Sequence, residues 1–365
     1  MYNRAIQVVL FVLAVTVMIV PFSCQNASSA EKVENTITYN LYFGDLHTHT
    51  SYSDGTGTPW EAYEAAIDAG ADFMAVTDHV AIWHAYHAWV ADEEEWLDVQ
   101  AAAEYYTSDE FVAMAAYEAW LLGDLGEFNV FNTQDIPPGP LGNRADRLPS
   151  FYDWLVAHPG AVAQFNHPLY VSDNFEDFSY YTETRDQNVG VLENFDDPNY
   201  ELSYIMALDA GWHVMPAANS DTHSANWISG SEVRTVLLAP SLSPENLYDS
   251  MRNSRGYATQ DKNLQIRYAL NGAVMGSILS PTGTYEVSVQ ISDPDGAPDA
   301  IKLVEIVSDG GAVVASISAD SATVEWTTTL TSDTAHYFYV RVTTASNLSG
   351  AEGVTAWTAP VWTGN

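Results

Sequence analysis

The chain has 365 residues with 48 acidic against 12 basic side chains, a formal charge of −36, and it is 47% hydrophobic with only 16% charged residues. That composition describes a packed globular protein and excludes wholesale disorder, a coiled coil and a collagen-like repeat. Its field repels a phosphate backbone, so broad nucleic-acid binding is not expected.

Residues 6–20, IQVVLFVLAVTVMIV, form a short apolar run behind Arg4 that Pro21 closes before a polar stretch, the layout of a secretory signal within residues 1–30. Cys24 follows Pro21-Phe22-Ser23, which resembles a lipoprotein box without the aliphatic residue usual three places before the cysteine. The expectation is an exported protein, periplasmic, outer-membrane-anchored or extracellular, with lipidation of Cys24 as one route to the membrane. An uncleaved anchor is the alternative, although the run is shorter than the ~20 residues a span prefers. As the single cysteine, Cys24 also removes internal disulfides, thiolate metal sites and a cysteine nucleophile.

From residue 41 to about 240, β-rich apolar runs alternate with helical patterns, the signature of an α/β domain with mainly parallel strands. The runs are 41–50, 71–79, 111–120, 128–133, 161–168, 189–196, 212–223 and 233–240, and eight candidate strands suggest a barrel. Helices are predicted from Pro59 to Gly70, which carry the usual start and stop residues, and over 149–158 and 244–254. Residues 134–150, rich in Pro and Gly, read as a loop over the site. After Lys262 the sequence turns to short alternating runs with turn signals such as Asn271-Gly272, which predicts an antiparallel β-sandwich over 263–365 behind a catalytic domain of 38–262.

Nearly every strand of the first domain ends in a metal-capable side chain: His47 and His49, Asp78-His79, Glu118, His167, then Asp221 and His223. In a barrel of parallel strands the carboxyl ends open on one face, where such residues converge. Alternate strand residues point the same way, so His47 with His49, and Asp221 with His223, can each grip one cation. A lone strand histidine is more often a core or surface group; the repetition is what argues for a site. Imidazole and carboxylate without thiolate suit zinc, manganese or iron, with room for more than one ion.

HTHTSYSDG (47–55), VTDH (76–79), YE (117–118), NHP (166–168) and NSDTH (219–223) together resemble the polymerase and histidinol phosphatase (PHP) superfamily of metal-dependent hydrolases. Within it, RTVLLAP followed by SRGYATQDKNLQIRYALNGAVMGS (254–277) is similar to the CehA/McbA branch, whose named members cleave a carbamate ester. The resemblance implies a distorted (β/α)7 barrel with two or three divalent ions. Carried over by motif, His47, His49, Glu118 and Asp221 hold the first ion, Glu118 bridges to a second shared with His167, and Asp54, His79 and His223 hold a third. Asp54, Glu118, Asp221 and His223 are the candidate catalytic residues of this set. Where relatives carry histidine in a Gly-His-hydrophobic-Asn motif, this chain has Gly126-Glu127-Phe128-Asn129. Glu127 is read as a ligand, with a weakened second site as the alternative.

Two close cations lower the pKa of a shared water toward neutrality and polarise an ester oxygen, so no protein nucleophile is required. Asp45 and Asp78 are candidates either to orient the neighbouring histidine rings or to cap loops. Trp83, His84, Tyr86, His87 and Trp89, with Trp120 and Phe195, are candidates for an aromatic pocket wall, and Arg144, Arg147, Arg185 and Arg234 are the few basic groups on offer, the last read as structural. The expected function is an exported hydrolase of a small-molecule ester, phosphoester first and carbamate or carboxylic ester second. A non-catalytic surface binder with a vestigial site is the alternative from another class, and the sequence leaves the oligomeric state open.

Overall fold

A computed structural model of the chain describes residues 38–364 apart from 82–90, 122–124, 139–142, 169–173, 195–197, 297–298 and 346–353. The signal segment with Cys24, the aromatic run 83–89 and Phe195 lie outside the described residues. The sheet that carries the site contains β1 (Asn40–Asp45), β2 (Phe73–Val76), β3 (His79–Ala81), β4 (Val112–Trp120), β5 (Glu127–Phe131), β6 (Val162–Phe165), β7 (Val189–Glu193), β8 (Met215–Ala217), β9 (Arg234–Ala239) and β10 (Gly256–Thr259). Their order is β10-β9-β1-β2-β4-β5-β6-β7-β8, with β3 beside β4. Pairing is parallel at β1–β2, β2–β4, β3–β4, β6–β7 and β7–β8. It is antiparallel at β4–β5, β5–β6 and β1–β9. The link 121–126 between β4 and β5 is too short for a parallel crossover, which takes about a dozen residues, so the strict (β/α)7 alternation is interrupted there.

The sheet curls as a half-barrel. The curl brings its β8 edge back to β9, where Thr235 accepts from the backbone of Ala218, just past β8, and donates to Asn219.

The five longest helices among the described residues pack outside: α1 (Pro59–Asp68), α2 (Glu93–Tyr106), α3 (Arg144–Ala157), α4 (Pro198–Asp209) and α5 (Pro244–Arg252). α1 begins with a capping box between Thr58 and Glu61 and ends before Gly70 at φ 79°. α2 and α4 are absent from the sequence reading. α2 nevertheless carries its own signal, a capping box of Asp92 and Glu95 ahead of buried Trp96, Val99, Ala102 and Ala103 at helical spacing. α3 starts earlier than the predicted 149 because Asn143 caps it, and Pro149 is absorbed inside the helix. The predicted loop of 134–150 is shortened accordingly.

The remaining strands are β11 (Gln265–Leu270), β12 (Ala273–Val274), β13 (Ile278–Leu279), β14 (Thr284–Ser292), β15 (Ile301–Ser308), β16 (Ala312–Ser321), β17 (Thr323–Thr331), β18 (Tyr337–Thr344), β19 (Val354–Thr358) and β20 (Val361–Thr363). β12-β11-β14-β17 form one sheet, and β14 alternates buried Tyr285, Val287, Val289 and Ile291 with exposed residues. These side chains share a core with Val304 and Ile306 of β15 and Val340 and Val342 of β18, as two facing layers require. The second layer is continuous with the site's sheet, because β19 pairs antiparallel with β10. Thr38–Asn365 accordingly form one compact unit.

Candidate metal centre

Beyond β1, the segment carrying His47 and His49 runs alongside the segment carrying Asp221. His49 N donates to Thr222 O at 3.0 Å, Asp221 N donates to His47 O at 3.0 Å, and Thr48 and Thr222 form a parallel bridge. Glu118 on β4 sits in register with His79 on β3 and Asn129 on β5. Since β5 runs antiparallel to its neighbours, its first residue, Glu127, lies at the rim where their last residues lie. His167 (φ 28°) and Asp221 (φ 46°) adopt left-handed backbone, a conformation that costs about 1–3 kcal/mol and persists only where surrounding bonds impose it. Gly126 (φ 97°) makes the turn that presents Glu127, and a Cβ there would lie 2.2 Å from the Phe175 ring.

His47 Nε2 lies 3.2 Å from His49 Nε2, 3.2 Å from Glu118 Oε2 and 3.3 Å from Asp221 Oδ1. His49 Nε2 lies 3.3 Å from the same Glu118 oxygen and 3.1 Å from the same Asp221 oxygen. Ligands of one zinc ion at ~2.0 Å stand about 3.3 Å apart, so His47 and His49 are spaced from each other, from Glu118 and from Asp221 as atoms around a shared cation would be. Asp221 Oδ1 and His79 Nδ1 are buried without an aligned hydrogen bond, as atoms converging on a common centre would be.

The other oxygen of Glu118, Oε1, lies 3.2 Å from His167 Nε2, which is 3.6 Å from Glu127 Oε2. A third group gathers His49, Asp54, His79 and His223 with ligand atoms within 4.8 Å of one another. His223 Nε2 is 3.1 Å and His79 Nε2 3.7 Å from Asp54 Oδ1. His79 also turns Nδ1 to Glu118 Oε2 at 3.1 Å, so it faces the first group as well as the third. All nine candidate ligands thus meet: Asp54, His79, Glu118, Glu127, His167, Asp221 and His223 line a cavity of about 430 Å³ with Glu193, Tyr200 and Ser220, and His47 and His49 are fully buried against them.

No lysine or arginine is among the described residues lining this cavity. Burial alone would depress the His47 pKa, but the carboxylates of Asp221, Glu118 and Glu193 hold it well above the ordinary value. Against the same burial, Asp221 and Glu118 push His49 up to about 9, and Glu118 does the same to His167. Burial raises the Glu118 pKa, yet His47 and His79 hold it well below the usual range. At Glu127, burial and then the Glu118 charge push the carboxyl up to about 9. Together these shifts describe a buried cluster short of positive charge, which divalent cations with nitrogen and oxygen ligands would supply.

Glu193 escaped the sequence reading. It is fully buried and accepts from His47 Nδ1 at 2.9 Å and His167 N at 2.6 Å, fixing one ring and the backbone of another. Gln164 and Asn219 also donate to it, and Asn166, held on Asn129, donates to Glu118. The signal was present, because Glu193 ends its strand in the manner of the other candidates. Of the two readings of Asp45 and Asp78, the structure shows capping. Asp45 accepts from the backbone of His47 and Ser220, and Asp78 holds Thr50 and Ser53. Arg144 bonds Glu176, Arg185 bonds Asp153, Arg147 reaches the Leu121 carbonyl, and Arg234 is buried on the carbonyls of Ile228, Ser231 and Val233. Trp120, at the end of β4, is half-buried.

Residues 45–126 match the family profile of the PHP domain, a segment that carries His47, His49, Asp54, His79 and Glu118. Among solved structures, the chain is similar to a two-domain protein from Bacteroides vulgatus containing a predicted PHP-like metal-dependent phosphoesterase. Identity is 15% and the TM-score 0.48, over 88% of this chain and 96% of that one. It is also similar to a candidate metal-dependent phosphoesterase from Bifidobacterium adolescentis (16% identity, TM-score 0.31, 57% and 94% coverage). An amidohydrolase from Chromobacterium violaceum with bound sulfate and no metal is similar at 13% identity and a TM-score of 0.31, over 49% and 87%. No curated protein matches the chain.

Proposed function

We propose that the protein is a metal-dependent hydrolase of small-molecule esters, a phosphoesterase in the first instance, built on a distorted (β/α)7 plan and exported from the cytoplasm. The observation that carries this reading is the close spacing of His47 and His49 with each other, with Glu118 and with Asp221, beside a cavity with no lysine or arginine among its described lining residues. Two or three divalent ions, zinc, manganese or iron, would be held by these four residues, by His167 and Glu127 beside Glu118, and by Asp54, His79 and His223. Such ions supply an activated water and polarise the scissile ester. The chain's own residues supply the frame: Glu118 turns one oxygen to each of two groups, Glu193 orients His47, and Asp54, Asp221 and His223 face the open cavity.

The same lining favours a second reading, hydrolysis of a carbamate or carboxylic ester, because a neutral substrate needs no basic clamp. The CehA/McbA-like motif supports it. Purified, metal-loaded full-length protein is to be assayed on p-nitrophenyl phosphate, bis-p-nitrophenyl phosphate and a naphthyl carbamate, with bound metal counted in parallel. Two or three ions per chain and turnover that disappears in His49→Ala and Asp221→Ala are expected. Less than one ion per chain would favour a surface binder, and turnover surviving in both variants would place the chemistry elsewhere. For export, fractionation of cells expressing the full chain should place it outside the cytoplasm, and a wholly cytoplasmic product would refute that part.

A further inference from the structure

A second acidic group lies away from the metal centre, where the turn between β10 and β11 meets the segment between β14 and β15. Asp261, Asp293 and Asp299 each bring an oxygen to within 4.8 Å of the others. Asp261 and Asp293 are only 7% and 3% exposed. Among the described residues no lysine, arginine or histidine pairs with any of the three, since Lys262 turns instead to Glu232 at 3.4 Å and Asp295 at 4.0 Å. Asp293 Oδ1 accepts from the backbone of Asp295, which leaves Oδ2 buried in the cluster with no hydrogen-bond partner. Asn263 Oδ1, in the Asp261 turn, is likewise buried and unpartnered. Buried oxygens of this kind go unsatisfied only at a cost of about 1–3 kcal/mol each.

We infer that Asp261, Asp293 and Asp299 form a Ca²⁺ site that fastens the turn after β10 to the segment joining β14 to β15. The donors are oxygens without nitrogen or sulfur, which selects a hard cation. Three converging carboxylates suit Ca²⁺, which takes about 6–8 oxygen ligands in flexible geometry, better than Mg²⁺, which is usually held through one or two carboxylates and keeps several waters. Three carboxylates gathered this closely, with no cationic side chain beside them among the described residues, repel one another until a cation enters. The inference stands apart from the proposed hydrolase, since none of these residues lines that cavity.

The test uses the full chain, freed of calcium, with zinc or manganese restored, and follows thermal unfolding and equilibrium dialysis during a Ca²⁺ titration. One additional Ca²⁺ per chain is expected, with a Tm rise of about 5 °C at a hundredfold excess over Kd, and with a smaller rise for Mg²⁺ at equal concentration. Asp293→Asn and the more exposed Asp299→Asn should each abolish the rise, and His49→Ala should keep it. Absence of bound Ca²⁺ at millimolar concentration, a rise that persists in both asparagine variants, or a rise lost in His49→Ala would overturn the site. Should Asp293→Asn fail to fold, Asp299→Asn and the wild-type stoichiometry still decide.

Discussion

Replacing Glu193 by glutamine changes one atom and removes one charge, yet it should weaken the metal centre without replacing any proposed ligand. The carboxylate receives His47 Nδ1 at 2.9 Å, Asn219 Nδ2 at 2.9 Å and Gln164 Nε2 at 3.2 Å on one oxygen, and His167 N at 2.6 Å on the other. All four are donors, so whichever way the glutamine amide turns, its own NH2 faces a donor. A hydrogen bond to a charged acceptor contributes about 1.5–3 kcal/mol. Losing the outer partner of a ligating imidazole costs about 10–100-fold in metal affinity, which is about 1.4–2.8 kcal/mol. The two routes agree, so Glu193→Gln should raise the Kd for the most tightly held ion by one to two orders of magnitude in a competition titration against a chromophoric chelator. The metal-free variant should also melt several degrees lower. Affinity within twofold of wild type would show that Glu193 does not orient His47 for a cation.

Glu127→Ala should lower the number of tightly held ions by one while Glu127→His retains it; equal stoichiometry in all three proteins would remove position 127 from the ligand set. Asp261 has a folded pKa of about 6 against the ordinary 3.8, with burial as the main cause, so its favourable contribution is complete below pH 4 and lost as pH rises through 6. In calcium-free buffer, Asp261→Asn should therefore be more stable than wild type at pH 7, by up to about 3 kcal/mol, with the gap closing near pH 4 in paired urea titrations; a gap independent of pH would refute the assignment. Arg341 on β18 reaches both oxygens of Glu201 at 3.0 Å and Glu305 at 2.9 Å. Arg341→Met should cost about 2–4 kcal/mol, less than a fully buried pair because the groups are partly exposed, and a Tm unchanged within 2 °C would contradict this.

The strand runs were legible because each is a short apolar stretch between turn residues, and α1 because Thr58, Pro59 and Gly70 mark its ends. What escaped depended on context. Glu127 was read as a ligand from its motif; what the strand pattern did not give is the antiparallel hairpin from β4 to β5, which follows from the length of its link and sets Glu127 at the rim of the cavity. Glu193 was passed over because a buried glutamate that accepts four hydrogen bonds looks, in sequence, like any acid at a strand end. The continuity of β10 with β19 joins residues about a hundred apart along the chain, and no local pattern encodes that pairing. It has a consequence for the site: Glu201, held by Arg341 and Tyr339 of β18, adjoins Tyr200 on the cavity wall. The C-terminal strands therefore brace that wall directly.

The charge of the cavity decides between the two ester classes. Asp54, Glu118, Glu127, Glu193 and Asp221 place five carboxyl groups there, in a protein whose formal charge is already −36. With all five ionised and the imidazoles neutral, two divalent ions leave the group at a formal charge of about −1, and three bring it to about +1. An anionic phosphoester is repelled in the first case and attracted in the second, while a neutral carbamate is indifferent to the difference. The number of bound ions should thus set the substrate preference. Protein loaded with a third equivalent of metal should gain phosphoesterase turnover relative to carbamate turnover, and for the phosphoester alone KM should rise with ionic strength as the attraction is screened. If phosphoester KM falls with added salt at three equivalents, the ions do not overcome the acidic surroundings, and the neutral ester becomes the substrate class that this cavity fits.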